Sequence, residues 1–126
     1  ISCESIIERY LDNRLTEAIV LQGLEPFDSL KDVFDFVVTL RGRYGCSDDV
    51  VIYTGYTKEE VDKFTLSTMC PFMDGTCTGN IKITKMLKST GNIIIKYGRY
   101  IPDQKPHYDK VLGVNLASDN QYAERL

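Results

Sequence analysis

Three short apolar runs, each closed by a glycine-bearing turn, constrain this chain most. They are Ala18-Ile19-Val20-Leu21 before Gly23, Val50-Val51-Ile52-Tyr53 before Gly55, and Asn92-Ile93-Ile94-Ile95-Lys96-Tyr97 before Gly98. Each is too short for a helix and rich in β-branched residues, and continuous apolarity without alternation marks a strand buried on both faces, as in parallel sheets. Between the first two, Leu30, Val33, Phe34, Val37, Val38 and Leu40 recur at helical spacing behind a cap at Asp28-Ser29, and the pattern ends near Gly42 to Gly45. An amphipathic helix over Ser2 to Leu11 precedes them, with Ser2 as N-cap and Ile6, Ile7, Tyr10 and Leu11 on one side. Thr57 and Glu60 have the spacing of a capping box for a helix through Phe64. Helix and strand therefore alternate, which implies right-handed crossovers and a parallel sheet of an α/β fold. The strands, at about residues 17 to 22, 50 to 54 and 92 to 97, are expected to place their glycine turns on one rim. In parallel folds that carboxyl rim is where ligands bind.

The rest of the chain is less legible. Leu66 to Gly79 has turn residues without a period, and Ile81 to Leu87 suits a short helix or a poor strand. Tyr100 to Lys110, with Pro102 and Pro106, reads as an extended surface loop in which His107, the sole histidine, is solvated; Val111 to Leu116 reads as a last short strand, closed by the polar group Ser118 to Gln121. At 126 residues, 43% of them hydrophobic, the chain fits one domain over residues 1 to 126. The net charge of -3 offers no general attraction for nucleic acid. The longest apolar runs fall short of the roughly 18 residues of a membrane span, and the start lacks the basic-then-apolar pattern of a signal peptide. A soluble, cytoplasmic protein is expected, without membrane or nucleic acid as partner. Cys3, Cys46, Cys70 and Cys77 are expected to be reduced thiols, since a core of this size needs no disulfide. Cys70 and Cys77 are too few to bind zinc by themselves, and no metal ligands are assigned within the chain.

Gly23-Leu24-Glu25-Pro26 resembles the Gly-Gly-Glu-Pro signature of radical S-adenosylmethionine enzymes, with Leu24 in place of the second glycine. Val50 to Tyr56 resembles the strand ending in Trp-Thr-Gly-Tyr in the activating proteins of anaerobic ribonucleotide reductases. Asn92 to Tyr100 stands where those proteins have a strand ending in Asp-Gly-Lys/Arg-Phe, and Leu116 to Gln121 resembles their terminal Gly-Ser-x-Asn-Gln. The four stretches occur in the family's order and reach from about Thr16 to Gln121. The resemblance implies an incomplete (β/α) barrel that binds a [4Fe-4S] cluster and S-adenosylmethionine. It implies reductive cleavage to a 5'-deoxyadenosyl radical, which removes hydrogen from a glycine on a partner glycyl radical enzyme such as the anaerobic ribonucleotide reductase. A flavodoxin or ferredoxin is implied as electron donor.

By that resemblance Gly23 and Glu25 meet the methionine moiety, the Glu25 carboxylate accepting from its ammonium. Thr54 and Gly55 meet the amino-acid or ribose part, and Lys96 with Gly98 the adenosine part. Ser118, Asn120 and Gln121 lie toward the cluster or the partner. Lys96-Tyr97 departs from the family's Val-Asp. Read without the family, Glu25 also suits the dipole of the helix that follows it. Replacing Glu25 by glutamine is expected to weaken ligand binding and change stability little, on the expectation that the carboxylate is partly solvated. The family's three-cysteine loop precedes Gly-Gly-Glu-Pro, whereas only Cys3 precedes Glu25 here. The expectation is a chain that lacks the first strand and the cluster loop and is inactive alone. A radical enzyme with another substrate and a non-catalytic binding protein on the same scaffold remain alternatives.

Overall fold

The computed structural model of the chain describes residues 3–13, 17–23, 25–69 and 78–126. The three apolar runs form β1 (Ala18–Leu21), β2 (Asp49–Tyr53) and β5 (Ile93–Tyr97). These are parallel and adjacent, with Ile19 opposite Val50 and Val51 opposite Ile94. Continuous burial explains the lack of alternation in β5, all five of whose residues are buried, and in β2, where Val50 to Ile52 are; β1 departs from the expectation, because at the sheet edge it buries only Ile19 and leaves Val20 45% exposed. A strand that the sequence reading did not contain, β8 (Tyr122–Arg125), completes the order β1-β2-β5-β8 and runs antiparallel to β5. The fold is thus mixed α/β with a parallel-containing sheet. The sheet is open, because the antiparallel β8 occupies the edge from which a further parallel strand would carry the curve toward a barrel.

Helices α1 (Cys3–Asp12), α2 (Leu30–Val38), α3 (Lys58–Val61) and α4 (Ile83–Thr90) cover one face of the sheet. Ile7, Val33, Phe36, Val37, Leu40, Val61, Ile83 and Leu87 bury against Ile19, Val50, Ile52, Ile93, Ile95 and Tyr97. Each fully buried aliphatic side chain of this set contributes about 1.5–3 kcal/mol relative to exposure. On the opposite face Val51, Ile94 and Ala123 pack with Tyr53 and with Leu112, which lies between the hairpin strands β6 (His107–Asp109) and β7 (Val114–Leu116). Asp109 latches that hairpin to the sheet: its Oδ1 accepts from the Leu112 amide at 2.9 Å and its Oδ2 from the Ala123 amide at 3.0 Å.

Several local expectations change. The Ser2 cap lies outside the described residues. Ser29 makes no side-chain cap bond; a 3-10 turn over Pro26–Ser29 precedes α2 and is capped by Glu25, whose Oε1 accepts from the Phe27 amide at 3.2 Å. The Thr57–Glu60 capping box is present, but α3 is one turn long. It stops because Phe64 leaves the helix to stack on Phe27, with ring centres 6.1 Å apart, and to meet the Tyr56 ring edge-on at 5.0 Å. The stretch after Phe64 forms the hairpin strands β3 (Thr65–Met69) and β4 (Thr78–Lys82), and α4 follows directly. Val111 to Gly113 is a turn rather than strand. His107, expected in a solvated loop, pairs with Leu116 in the β6–β7 hairpin, and its Nδ1 is buried without a hydrogen-bond partner.

At the amino end of the sheet a π-helical turn, Thr39–Arg43, extends α2 and aims Arg41 inward. Its guanidinium donates to the carbonyls of Cys46 (2.9 Å) and Asp48 (2.7 Å) ahead of β2, and of Gly91 (2.8 Å) and Asn92 (3.2 Å) ahead of β5. One side chain thus fixes how two central strands enter the sheet.

Candidate functional site

Parallel strands bring their carboxyl ends to one rim, and four loops meet there. Glu25 reaches from the loop after β1 to the end of β2. Its Oε1 accepts from the Thr54 hydroxyl at 2.6 Å and its Oε2 from the Gly55 amide at 2.8 Å, in addition to the Phe27 amide. The Thr54 hydroxyl in turn accepts from the Tyr56 amide at 3.1 Å, and Thr54 is 2% exposed. The Tyr56 hydroxyl donates to Asp28 at 2.7 Å, which closes the loop a second time and, with burial, raises the tyrosine pKa.

The link to β5 runs through the Gly98 amide, which donates to the Tyr56 carbonyl at 3.0 Å. The Gly98 carbonyl accepts from the Gln121 amide group at 3.2 Å and from the Lys96 ammonium at 3.1 Å. Asn120 donates to the Arg99 carbonyl at 2.8 Å and accepts at 2.7 Å from the Ser118 hydroxyl, which itself accepts from the Ile101 amide. The Ser118-to-Gln121 segment is therefore a clamp on residues 98 to 101. So the four sequence stretches singled out above join pairwise, Glu25 to Thr54 and Gly55, Gly98 to Asn120 and Gln121, with Tyr56 between the pairs.

The glycines have different roles here. At Gly23 a Cβ meets nothing within 4 Å, and what requires glycine is its φ of +108°. At Gly55 a Cβ would lie 3.1 Å from Arg99 Cγ and 3.4 Å from Glu25 Oε2, so its absence lets the carboxylate approach the amide. Gly98 needs glycine on both counts, with φ +98° and a Cβ position 3.1 Å from Asn120 Nδ2 and 3.2 Å from its carbonyl oxygen. Gly98→Ala is expected to lower the unfolding free energy by about 2 kcal/mol, from left-handed strain and the displaced clamp. Denaturant unfolding of that variant beside wild type measures it.

Lys96 points to the sheet face away from the helices and is 8% exposed. Its ammonium lies 5.4 Å over the Tyr53 ring, and burial lowers its pKa against the opposing pull of the Glu25 carboxylate. Glu25 is partly solvated, as expected, but it also accepts from three internal donors, so replacing it by glutamine is expected to cost more stability than a solvated carboxylate alone would. A carboxylate has about four lone-pair sites, which leaves roughly one acceptor position for a ligand.

Two hollows flank the Glu25 clamp. One, of about 500 Å³, is lined by Gly55, Thr57, Gly98, Arg99, Asn120 and Tyr122 among others. The other, of about 370 Å³, is lined by Glu25, Pro26, Leu21, Val33, Phe36 and Cys3 among others. Cys3 and Arg99 are the neighbours that the sequence reading missed. The signal for Cys3 was topological: a helix joined to the next strand by a short link folds back along it, so the helix start returns to the strand's carboxyl end. Cys46, by contrast, enters β2 at the amino end, and Cys70 and Cys77 lie outside the described residues. No group of three or more histidine, cysteine or carboxylate side chains among the described residues could hold a metal ion. A [4Fe-4S] cluster needs several converging thiolates. The described residues bring one thiol to the rim, so they do not by themselves fit a cluster, and no chemical step is routed through one here.

Among the described residues no helix is long and apolar enough to cross a membrane. A family model described as a 4Fe-4S single cluster domain matches residues 2–93. No curated protein and no solved structure matches the chain.

Proposed function

Because the chain belongs to the family of 4Fe-4S single cluster domains, an iron–sulfur family, we propose that its rim binds S-adenosylmethionine and that the protein is a radical activase of a glycyl radical enzyme. The observation that carries the reading is the meeting of Glu25 with Thr54 and Gly55. Two stretches 29 and 30 residues apart in sequence, each chosen for its likeness to radical S-adenosylmethionine proteins, are neighbours at one strand end.

The chemistry asked of these residues is binding and orientation. Glu25 is held rigid by donors on both oxygens, so its free lone pair is preorganised for the ligand's α-ammonium, a charge-assisted contact. Gly23 and Gly55 leave the approach clear, and Thr54 keeps the carboxylate from rotating. Gly98 forms the adjoining wall at the end of β5, suited to the adenosine part, with the buried Lys96 ammonium behind it on the Gly98 carbonyl. The reaction class is one-electron reductive cleavage of the sulfonium, giving methionine and a 5'-deoxyadenosyl radical that takes hydrogen from a glycine of the partner, an anaerobic ribonucleotide reductase in this reading. The electron comes from a flavodoxin or ferredoxin, and the setting is the cytoplasm.

The test is product formation. The described residues do not by themselves hold a cluster, so the test uses the protein joined to a segment that carries three closely spaced cysteines. Loaded with a cluster and reduced anaerobically with S-adenosylmethionine present, it is expected to release 5'-deoxyadenosine and, with the reductase added, to give an electron paramagnetic resonance signal of a glycyl radical, whereas the chain alone is expected to be inactive. A preparation that holds a cluster yet releases no 5'-deoxyadenosine overturns the reading.

A further inference from the structure

The helical layer is electrostatically divided. α1 and α2 expose Glu8, Asp12, Asp32 and Asp35, with Lys31 3.9 Å from Asp35. α4 packs against α2 and has the opposite sign. Lys85 and Lys88 lie on it three residues apart, which makes them neighbours on a helix surface, and Lys82 precedes its first residue. Lys63 is brought beside them because the Phe64 carbonyl accepts from the Ile83 amide at 3.0 Å. All four lysines are exposed, and none makes an ion pair with a described residue. The two nearest further cations differ: Lys58 pairs with Glu124 and Arg125 with Asp49, each at 2.8 Å. Between α4 and β8 is a hollow of about 330 Å³, lined by Lys58, Lys85, Lys88, Arg125 and Glu124 among others. Asp62 also lines it, beside Lys85 and Lys88.

We propose that the α4 face docks a protein partner through a compact patch of carboxylates on that partner. Lysines suit this role, since an ammonium is a strongly hydrated point charge that attracts at a distance without requiring one geometry. A long polyanion fits less well. A nucleic acid that outran the lysines would meet Asp32 and Asp35 on the neighbouring helix, whereas a small acidic patch centred on Lys82, Lys85 and Lys88 need not reach them, although it approaches Asp62 at the edge of the hollow. Lys85 and Lys88 lie along α4, whose start at Lys82 returns toward the carboxyl end of β5, and the proposal does not depend on the cofactor reading.

Fluorescence anisotropy of a labelled oligoglutamate peptide, with a labelled duplex DNA of equal length for comparison, tests it on the whole chain. The peptide is expected to bind at low salt and to weaken as salt is added, as screened charges require. Lys82→Glu, Lys85→Glu and Lys88→Glu together are expected to weaken it by about tenfold or more. The same charge change at Lys31, Lys105 and Lys110 should leave it near wild type, with circular dichroism showing both variants folded. Equal weakening by both triple variants overturns the proposal, because net charge alone would then account for binding. Tighter binding of the DNA overturns it in favour of nucleic acid, and salt-sensitive self-association through α4, seen by sedimentation, in favour of a second copy.

Discussion

Arg41→Ala lowers the unfolding free energy by about 3 kcal/mol, the largest stability loss expected from a single partly buried polar side chain in this chain. The magnitude follows from what the guanidinium does. It donates to four carbonyls from two loops that are sequentially remote, one entering β2 and one entering β5. Hydrogen bonds from a charged donor are worth about 1.5–3 kcal/mol each in favourable cases, but these carbonyls are partly exposed and water replaces some of the loss. Arg41→Lys separates charge from shape. An ammonium retains the charge but cannot span both loops with a planar fork, so it should recover less than about half of the loss. If lysine restores wild-type stability, the bridging geometry is unimportant. Thermal unfolding shows the alanine effect as a fall of roughly 10 °C for a domain of this size.

Glu25→Gln has the largest expected effect on binding. Glutamine keeps the size and one acceptor oxygen but turns an NH2 group toward donors that need acceptors. The Thr54 hydroxyl can rotate to accept; the Gly55 and Phe27 amides cannot. A stability loss of about 1–2 kcal/mol is therefore expected. In the proposed function the ammonium of S-adenosylmethionine loses a charged acceptor as well, so affinity should fall by about tenfold or more, the range of a hydrogen bond to an ionised group. Calorimetric titration at a temperature where both proteins are folded reads the affinity apart from the stability. Equal affinities with the stability loss present would leave Glu25 as a clamp between two strands and nothing more.

β2 and β5 were legible because burial on both faces leaves a direct mark, an unbroken apolar run ended by glycine; β1 carries the same kind of run although one of its faces is exposed at Ala18 and Val20. Thr57 and Glu60 were legible for the same reason, since a capping box is written in four consecutive residues. β8 was not. Its sequence Tyr-Ala-Glu-Arg is that of an edge strand whose side chains are partly solvated: Arg125 pairs with Asp49 and Glu124 with Lys58, and only Ala123 is buried. Such a strand has little apolar signal and is placed by what it pairs with. Of the β6–β7 hairpin, Val114–Leu116 falls within the strand read over Val111 to Leu116, whereas His107–Asp109 was read as loop, because Asp109 ties it to the sheet through backbone amides. At the rim, Glu25, Thr54 and Gly55 were chosen singly, while their mutual hydrogen bonds depend on β1 and β2 being adjacent. Ser118 to Gln121 is tied into residues 98 to 101, a connection between loops that its sequence does not show. The segregation of lysines onto α4 is invisible in a net charge of -3; it arises only when Lys63 is folded next to Ile83.

The central claim, that the carboxyl rim around Glu25 is the binding surface for S-adenosylmethionine, is tested most directly by mapping where that molecule touches the protein in solution. Backbone amide resonances recorded during a titration with S-adenosylmethionine are expected to move at Gly23, Gly55, Gly98 and Arg99, and to stay in place at the amino end around Arg41 and along α4. A titration that leaves the rim amides unmoved, or moves only those around Lys85 and Lys88, contradicts it.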